Sequence, residues 1–236
     1  MCGRYTITKD LSELERLVEF ICKVAGFVPR YNVTPRQQAP VLVSENDKVV
    51  LKPMRWGLIP SWSKDETIGD KLTNARAETI TEKASFRKPF KSQRCLIPAD
   101  GFYEWQATST GKLPFRFMRK DDGFFCMAGL WEKWVHPPRS GELDLDDGNE
   151  PTSSQVVETF TVITTTPNPM VAKVHDRMPV ILSPEHFQWW LEPKRFEPEF
   201  LKTLLRPFPA DDMNCRRASP LVNNARNDSP ECLKLD

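Results

Sequence analysis

The chain has 236 residues, of which 39% are hydrophobic and 28% charged, and its net charge is only +1. These figures suit one soluble globular domain, and with no apolar run near ~18 residues they exclude a membrane span. A nucleic-acid surface on so neutral a chain must be a local cluster of arginines balanced by acid elsewhere. The six cysteines (Cys2, Cys22, Cys95, Cys126, Cys215 and Cys232) contain no C-x-x-C pair. That pattern argues against a zinc site and a disulfide scaffold and points to a reducing cytoplasm. The first twenty residues carry Arg4, Lys9, Asp10, Glu13, Glu15 and Arg16, so no signal peptide is expected.

The first predicted element is a helix from Asp10 to Ala25. Leu11, Leu14, Leu17, Val18 and Ile21 recur at helical spacing, Asp10 with Glu13 forms an N-terminal cap, and Gly26 supplies a stop. Strands are expected at Val49–Ile59, Arg94–Trp105, Leu113–Arg119, Phe124–Trp134, Val156–Thr165 and Met178–Leu182, all rich in β-branched and aromatic residues. Between two of them, residues 136–155 hold Glu142, Asp144, Asp146, Asp147 and Glu150 among prolines and glycines, which reads as an exposed acidic loop. Further helices are expected from the caps Asn168 and Ser183, each followed by proline, the latter running through Trp190, and at Glu197–Leu205. With 21 prolines marking segment edges, the pattern predicts a single α+β domain over 1–236. Its sheet is curved and mostly antiparallel, or a distorted barrel, with peripheral helices. A monomer is expected.

Cys2 follows Met1 directly, and a small second residue permits removal of the initiator methionine. The new terminus carries an α-amine and a thiol on adjacent carbons. The amine condenses with an aldehyde to an imine, and the sulfur then closes a five-membered thiazolidine. The amine, with a pKa of ~7.7–8.0, is partly neutral at neutral pH, and a thiol near ~8.5 supplies some thiolate. No internal cysteine can close this ring.

Along Thr73–Thr79 the residues Asn74, Arg76 and Glu78 alternate, so on a strand they share one face, which is either functional or a solvated polar surface. Glu104 sits between Tyr103 and Trp105 in an apolar strand, where a carboxylate is either paired with an arginine or has a raised pKa suited to proton transfer. His175, one of three histidines, is flanked by Asp176 and Arg177 in a turn, as a helix C-terminal cap or a general acid or base. Pro35, Trp56, Pro60 and Trp62 lie among Arg30, Arg36 and Arg55, a mixture that suits stacking on single-stranded bases and contact with phosphates, or ordinary core packing.

Seven stretches together resemble the SOS response-associated peptidase family of abasic-site processing proteins. They are Met1-Cys-Gly-Arg-Tyr5, Arg30-Tyr-Asn-Val-Thr-Pro35, Arg55-Trp-Gly-Leu-Ile-Pro-Ser-Trp62, Asn74-Ala-Arg-Ala-Glu-Thr79, Arg94 to Trp105, Thr164-Thr-Thr and His175-Asp-Arg-Met-Pro179, with Val222-Asn223 near the C-terminus. The acidic loop is the departure, being longer than the family usually has. The resemblance implies a β-rich α+β fold with its site in a basic groove, no cofactor and no metal. It implies single-stranded DNA containing abasic sites as the partner, and cytoplasmic action on the nucleoid during the DNA damage (SOS) response. Cys2 would be the covalent nucleophile of a lyase-like crosslinking enzyme. Asn74 would hold the N-terminus and the sugar, Glu104 would manage protons on the amine and opening sugar, and His175 would act on the sugar hydroxyl. Arg4, Arg76 and Arg177 would contact phosphates, with Pro35, Trp56 and Trp62 at the DNA surface. Two other readings compete. One is a cysteine-dependent peptidase acting on its own N-terminus or on peptides, and the other is a binding module that makes no covalent product.

Overall fold

A computed structural model describes residues 2–109, 111–136 and 156–234; the acidic stretch from residue 137 to 155 lies outside them. In chain order the strands are β1 (Tyr5–Ile7), β2 (Ile21–Cys22), β3 (Arg30–Val33), β4 (Gln38–Glu45), β5 (Lys48–Trp56) and β6 (Asn74–Arg76). Helix α1 (Ala84–Ser92) precedes β7 (Arg94–Ala99), β8 (Gly101–Thr108), β9 (Gly111–Arg119), β10 (Phe125–Val135) and β11 (Val156–Thr165). The short β12 (Met178–Pro179) and β13 (Ile181–Leu182), helices α2 (Phe187–Leu191) and α3 (Pro198–Thr203), and β14 (Met213–Arg217) complete it.

Two sheets result. In one, β4, β5, β11, β10 and β7 close on themselves, because β11 pairs with β5 as well as with β10. Closure leaves this ring without a free edge. The expected curved sheet or distorted barrel is therefore a closed five-stranded ring, antiparallel except where β5 meets β11. The burial of β10 shows both environments: Phe125–Leu130 is buried continuously, whereas Trp131–Val135 alternates, with one face open. Gly129 on β10 allows the tight packing, since a Cβ there would run into Ile97 and the Thr161 carbonyl.

The second sheet runs β14-β9-β8-β1-β3, all antiparallel. The predicted strand Arg94–Trp105 is two strands, one in each sheet, and Asp100 is the corner. Its fully buried carboxylate accepts the Thr8 N–H (2.5 Å), the Thr8 hydroxyl (2.6 Å) and the Lys9 N–H (3.2 Å), and it pairs with Arg116 (3.0 Å). A buried charge satisfied this fully fixes the path of the chain between the sheets. Between the two sheets the chain brings residues 2–4 close to β6 of the barrel side and to β8.

The helices depart most from expectation. Asp10 caps a turn, accepting the Ser12 N–H at 2.8 Å, but only Leu11–Arg16 is helical, as a 3-10 segment. The β-branched and aromatic residues that follow leave the helix, and Ile21–Cys22 adds alongside β5 instead. Asn168 likewise caps the Met170 and Val171 N–H groups (3.1 and 2.9 Å), yet the helix is a single turn, Val171–Lys173, because the chain must return to the sheet at Met178. Ser183 leads into a 3-10 turn and then α2, and the Glu197–Leu205 segment contains α3. Helix α1, with Pro89 within it and Phe86 and Phe90 buried, has no equivalent among the expected elements.

Candidate active site

Cys2 lies just ahead of β1 and is fully buried. Its carbonyl accepts a hydrogen bond of 2.9 Å from the Asn74 Nδ2. Asn74 opens β6, held parallel to β11 with Asn74 opposite Val162, so the barrel sheet presents the amide that fixes Cys2. The Asn74 Oδ1 is buried and has no hydrogen-bond partner among the described residues. Strand β6 ends at Arg76, and Glu78 belongs to a 3-10 turn, so the predicted shared face covers Asn74 and Arg76 only.

From the other sheet β8 supplies Glu104, 2% exposed. Burial, with Asp176 adding to it, pushes its carboxyl up to about 7. The Cys2 thiol is also pushed well up, first by burial and then by the neighbouring Glu104 charge. The expectation of an ordinary thiol with ready thiolate is thus corrected: this thiol holds its proton at neutral pH. His175 follows the Val171–Lys173 turn, its backbone N–H bonded to the Val171 carbonyl at 2.9 Å. The His175 Nε2 stands 3.7 Å from the Glu104 Oε2, and its Nδ1 receives the Arg177 N–H at 3.0 Å. The Nδ1 also has the Asp176 Oδ1 at 3.1 Å and the Arg177 carbonyl at 3.3 Å, so each ring nitrogen has an acceptor within reach of its proton. Burial holds the His175 pKa below its usual value.

Arg4, Glu104, Trp105, Lys112, His175 and Asn223 line an open cleft of about 460 Å³ above this pair. The Trp105 Nε1 donates to the Asn223 Oδ1 at 2.7 Å, and the Arg4 guanidinium lies 5.7 Å from the Trp105 ring centre. Asn74 thus reaches Cys2 directly, Glu104 reaches it through its charge, and His175 meets Glu104. Trp105 and Lys112 were not singled out. Trp105 adjoins Glu104 on β8, but nothing in the sequence around Lys112 marks it, since only the β8–β9 pairing brings it to the cleft.

The sequence profile of the SOS response associated peptidase (SRAP) family matches residues 1–225. The chain belongs to the SRAP family. It is 43% identical over 238 residues to the abasic site processing protein YoqW of Bacillus subtilis, covering 99% of each chain. It is 30% identical to the abasic site processing protein HMCES of Gallus gallus, covering 99% of this chain and 77% of that one. A crystal structure of a protein from Bacteroides thetaiotaomicron superposes with a TM-score of 0.82 at 26% identity, covering 99% of both chains.

In this SRAP chain the expected DNA-facing residues divide. Trp62 is 60% exposed, Arg76 is exposed and Pro35 is half-buried. Trp56 is not at the surface. It is fully buried, 5.1 Å from the Tyr5 ring and stacked on Phe160, with its Nε1 bonded to the Thr73 carbonyl at 2.9 Å, so it supports the floor of the site and offers no face to a base. Arg4 is half-buried and bonded to the Asn32 Oδ1 at 2.9 Å and to the Val222 carbonyl. Arg177 makes two bonds to Glu78 (2.6 and 2.9 Å) and one to the Thr164 carbonyl (2.6 Å), which ties the His175 loop to β11. Arg30 pairs with Asp228, Arg36 with Asp70, and Arg55 with Glu66. Among the described residues no group of three His, Cys, Asp or Glu side chains is placed to hold a metal, and no helix is long and apolar enough to cross a membrane.

Proposed function

We propose that this SRAP protein captures the ring-opened abasic site of single-stranded DNA as a thiazolidine on Cys2, once Met1 has been removed. The observation that carries the reading is the placement of Cys2. Its carbonyl is tethered by Asn74, its thiol feels the charge of Glu104, and Glu104 in turn faces His175 at the wall of an open cleft.

The chemistry then follows in balanced steps. The neutral α-amine of Cys2 adds to the sugar aldehyde carbon. The resulting carbinolamine loses its hydroxyl as water, the oxygen taking a proton from the Glu104–His175 pair and the nitrogen giving its own proton back to that pair, and an imine remains. The thiol sulfur adds to the same carbon, and its proton passes to the ring nitrogen. Overall one water leaves, one C–N bond and one C–S bond form, and nothing is oxidised or reduced. A thiol that keeps its proton until the imine exists suits this order, because Glu104 can relay that proton to the nitrogen as the sulfur adds. His175, at the rim, is placed to move the proton of the sugar oxygen as the sugar ring opens. Closing the thiazolidine consumes the imine that would otherwise lead to strand scission by β-elimination, so the lesion is shielded. Arg76 and Arg4 serve the phosphates and Trp62 the bases, and Arg177 acts by fixing the His175 loop.

The test is a denaturing gel of the processed protein with single-stranded abasic DNA. A heat-stable adduct that Cys2→Ala does not form is expected, and a heat-stable adduct from Cys2→Ala overturns the reading. A peptidase acting on external peptides is tested by peptide turnover, which Cys2→Ala should abolish if that reading holds. Self-removal of Met1 is a separate matter, read by intact mass: purified precursor that loses Met1 on incubation, with Cys2→Ala precursor that keeps it, supports self-processing.

A further inference from the structure

Away from the cleft, β9 and the edge strand β14 enclose a second cavity of about 270 Å³. Arg116, Arg119, Lys120, Asp122, Arg216 and Arg217 line it. Its acid is already engaged: Asp122 pairs with Lys9, while Arg116 and Arg119 are neutralised by Asp100 and Asp121. Lys120, Arg216 and Arg217 are exposed and have no ion-pair partner among the described residues. Arg216 is also the direct cross-strand partner of Arg116. Like charges opposite one another in an antiparallel pair are destabilising. Three unneutralised cations around a concavity, two on the edge strand β14 and Lys120 just past the end of β9, are the signature of an anion site.

Position says which anion. Arg217 is followed by Ala218, whose N–H bonds to the Pro114 carbonyl at 3.0 Å, and Pro114 pairs with Trp105 of the cleft wall. At one inter-strand spacing per step, the basic end of β14 begins about 10 Å from Trp105. The 3-10 turn Pro220–Asn223 bridges the two places. It puts Asn223 into the cleft and leaves Leu221 45% exposed on the way. A strand of DNA leaving the cleft over this turn meets the three cations with its next phosphates.

The geometry points to a second phosphate-binding site, formed by Lys120, Arg216 and Arg217, that holds the single-stranded DNA backbone outside the lesion cleft. This rests on the DNA-capture reading. Such a site adds affinity for length without touching the chemistry. It also supplies basic surface that the net charge of +1 conceals.

The test compares wild type with the double variant Arg216→Ala/Arg217→Ala, using undamaged single-stranded oligonucleotides of about 5 and about 16 nucleotides. The longer one should bind the variant several-fold more weakly, with the slope of log affinity against log salt reduced by ~1.4, or ~0.7 for each phosphate that is no longer neutralised. The shorter one should bind both proteins alike, and adduct formation at saturating abasic DNA should proceed at the wild-type rate. Arg216→Glu should weaken the longer oligonucleotide further. Inorganic phosphate at constant ionic strength should not displace it, since a lone anion cannot reach the strand's other binding points. Equal affinity and equal salt slope for the longer oligonucleotide in wild type and the double variant overturn the second site alone. A wild-type protein that binds neither oligonucleotide and forms no adduct overturns the capture reading and the second site together.

Discussion

The Nε2 of His175 lies 3.7 Å from the Oε2 of Glu104, and the two arrive from different structures: Glu104 from the middle of β8, and His175 from the loop after a single helical turn. Burial acts oppositely on them, raising the carboxyl to about 7 and lowering the imidazole. Burial therefore favours the uncharged form of each, the protonated carboxyl and the neutral imidazole.

Glu104→Gln and His175→Ala should each slow adduct formation while leaving affinity for undamaged single-stranded DNA unchanged. A general acid or base contributes ~100- to 10,000-fold, which single-turnover time courses with excess protein resolve. In wild type the rate should rise with pH through about 7 as the Glu104 carboxylate forms, and Glu104→Gln should keep only the rise that comes from the α-amine at ~7.7–8.0. Wild-type rates in both variants would remove the pair from the mechanism.

The same carboxyl makes a prediction about stability. Its folded-state pKa of about 7 exceeds the ordinary value of 4.5. Between these two values the folded protein keeps a proton that the unfolded chain has lost, so the group's contribution to stability falls as pH rises across that window. Above it the full cost persists, about 3 kcal/mol for a shift of this size. Glu104→Gln, neutral at every pH, should therefore melt higher than wild type at about pH 8, and the gain should vanish near pH 4.5. Scanning calorimetry at the two pH values reads this. An equal difference at both would show that Glu104 is not buried as a carboxylate.

Met1 gives a sharper test. While it is attached, the Cys2 nitrogen is an amide whose lone pair is delocalised, and it cannot form an imine. Chains shown by intact mass to keep Met1, or to carry an N-terminal tag, should bind DNA and form no heat-stable adduct, whereas a C-terminal tag should be harmless. Cys95→Ala, Cys126→Ala and Cys215→Ala should crosslink as wild type does, since none of these thiols carries an α-amine. Heat-stable adducts from chains that retain Met1 throughout would rule out the aminothiol mechanism.

Arg76 and Arg177 should part company. Arg76→Ala, at an exposed position, should lower the salt slope for undamaged single-stranded DNA by ~0.7 and leave the melting temperature unchanged. Arg177→Ala removes a paired guanidinium from Glu78 and Thr164, so it should cost about 1–3 kcal/mol of stability and slow crosslinking through the His175 loop, with little change in salt slope. A full loss of slope in Arg177→Ala would return that residue to the phosphates.

Much of this was legible in the sequence where the deciding interaction is local. Runs of β-branched and aromatic residues mark the barrel strands because such side chains pack on a pleated surface. Asp10 and Asn168 are caps because a short oxygen reaches N–H groups two or three residues on, although how far each helix then continues depends on what the next residues pair with. Cys2 stands out because an amine and a thiol on adjacent carbons need no fold to be reactive together.

Other features belong to the tertiary structure alone. Asp100 turns one apolar run into strands of two sheets because its five donors come from β9 and from the stretch Thr6–Lys9, far from it in the chain. Trp56 is a core residue and most of the arginines beside it are paired, since whether a side chain meets a base or a carboxylate is set by chain folded over it from elsewhere. The raised Cys2 thiol and Glu104 carboxyl, and the depressed His175, follow from desolvation. The residue types and their spacing along the chain name the groups that react. How tightly each holds its proton, and which of them meet, is decided by how much water the folded chain excludes around them.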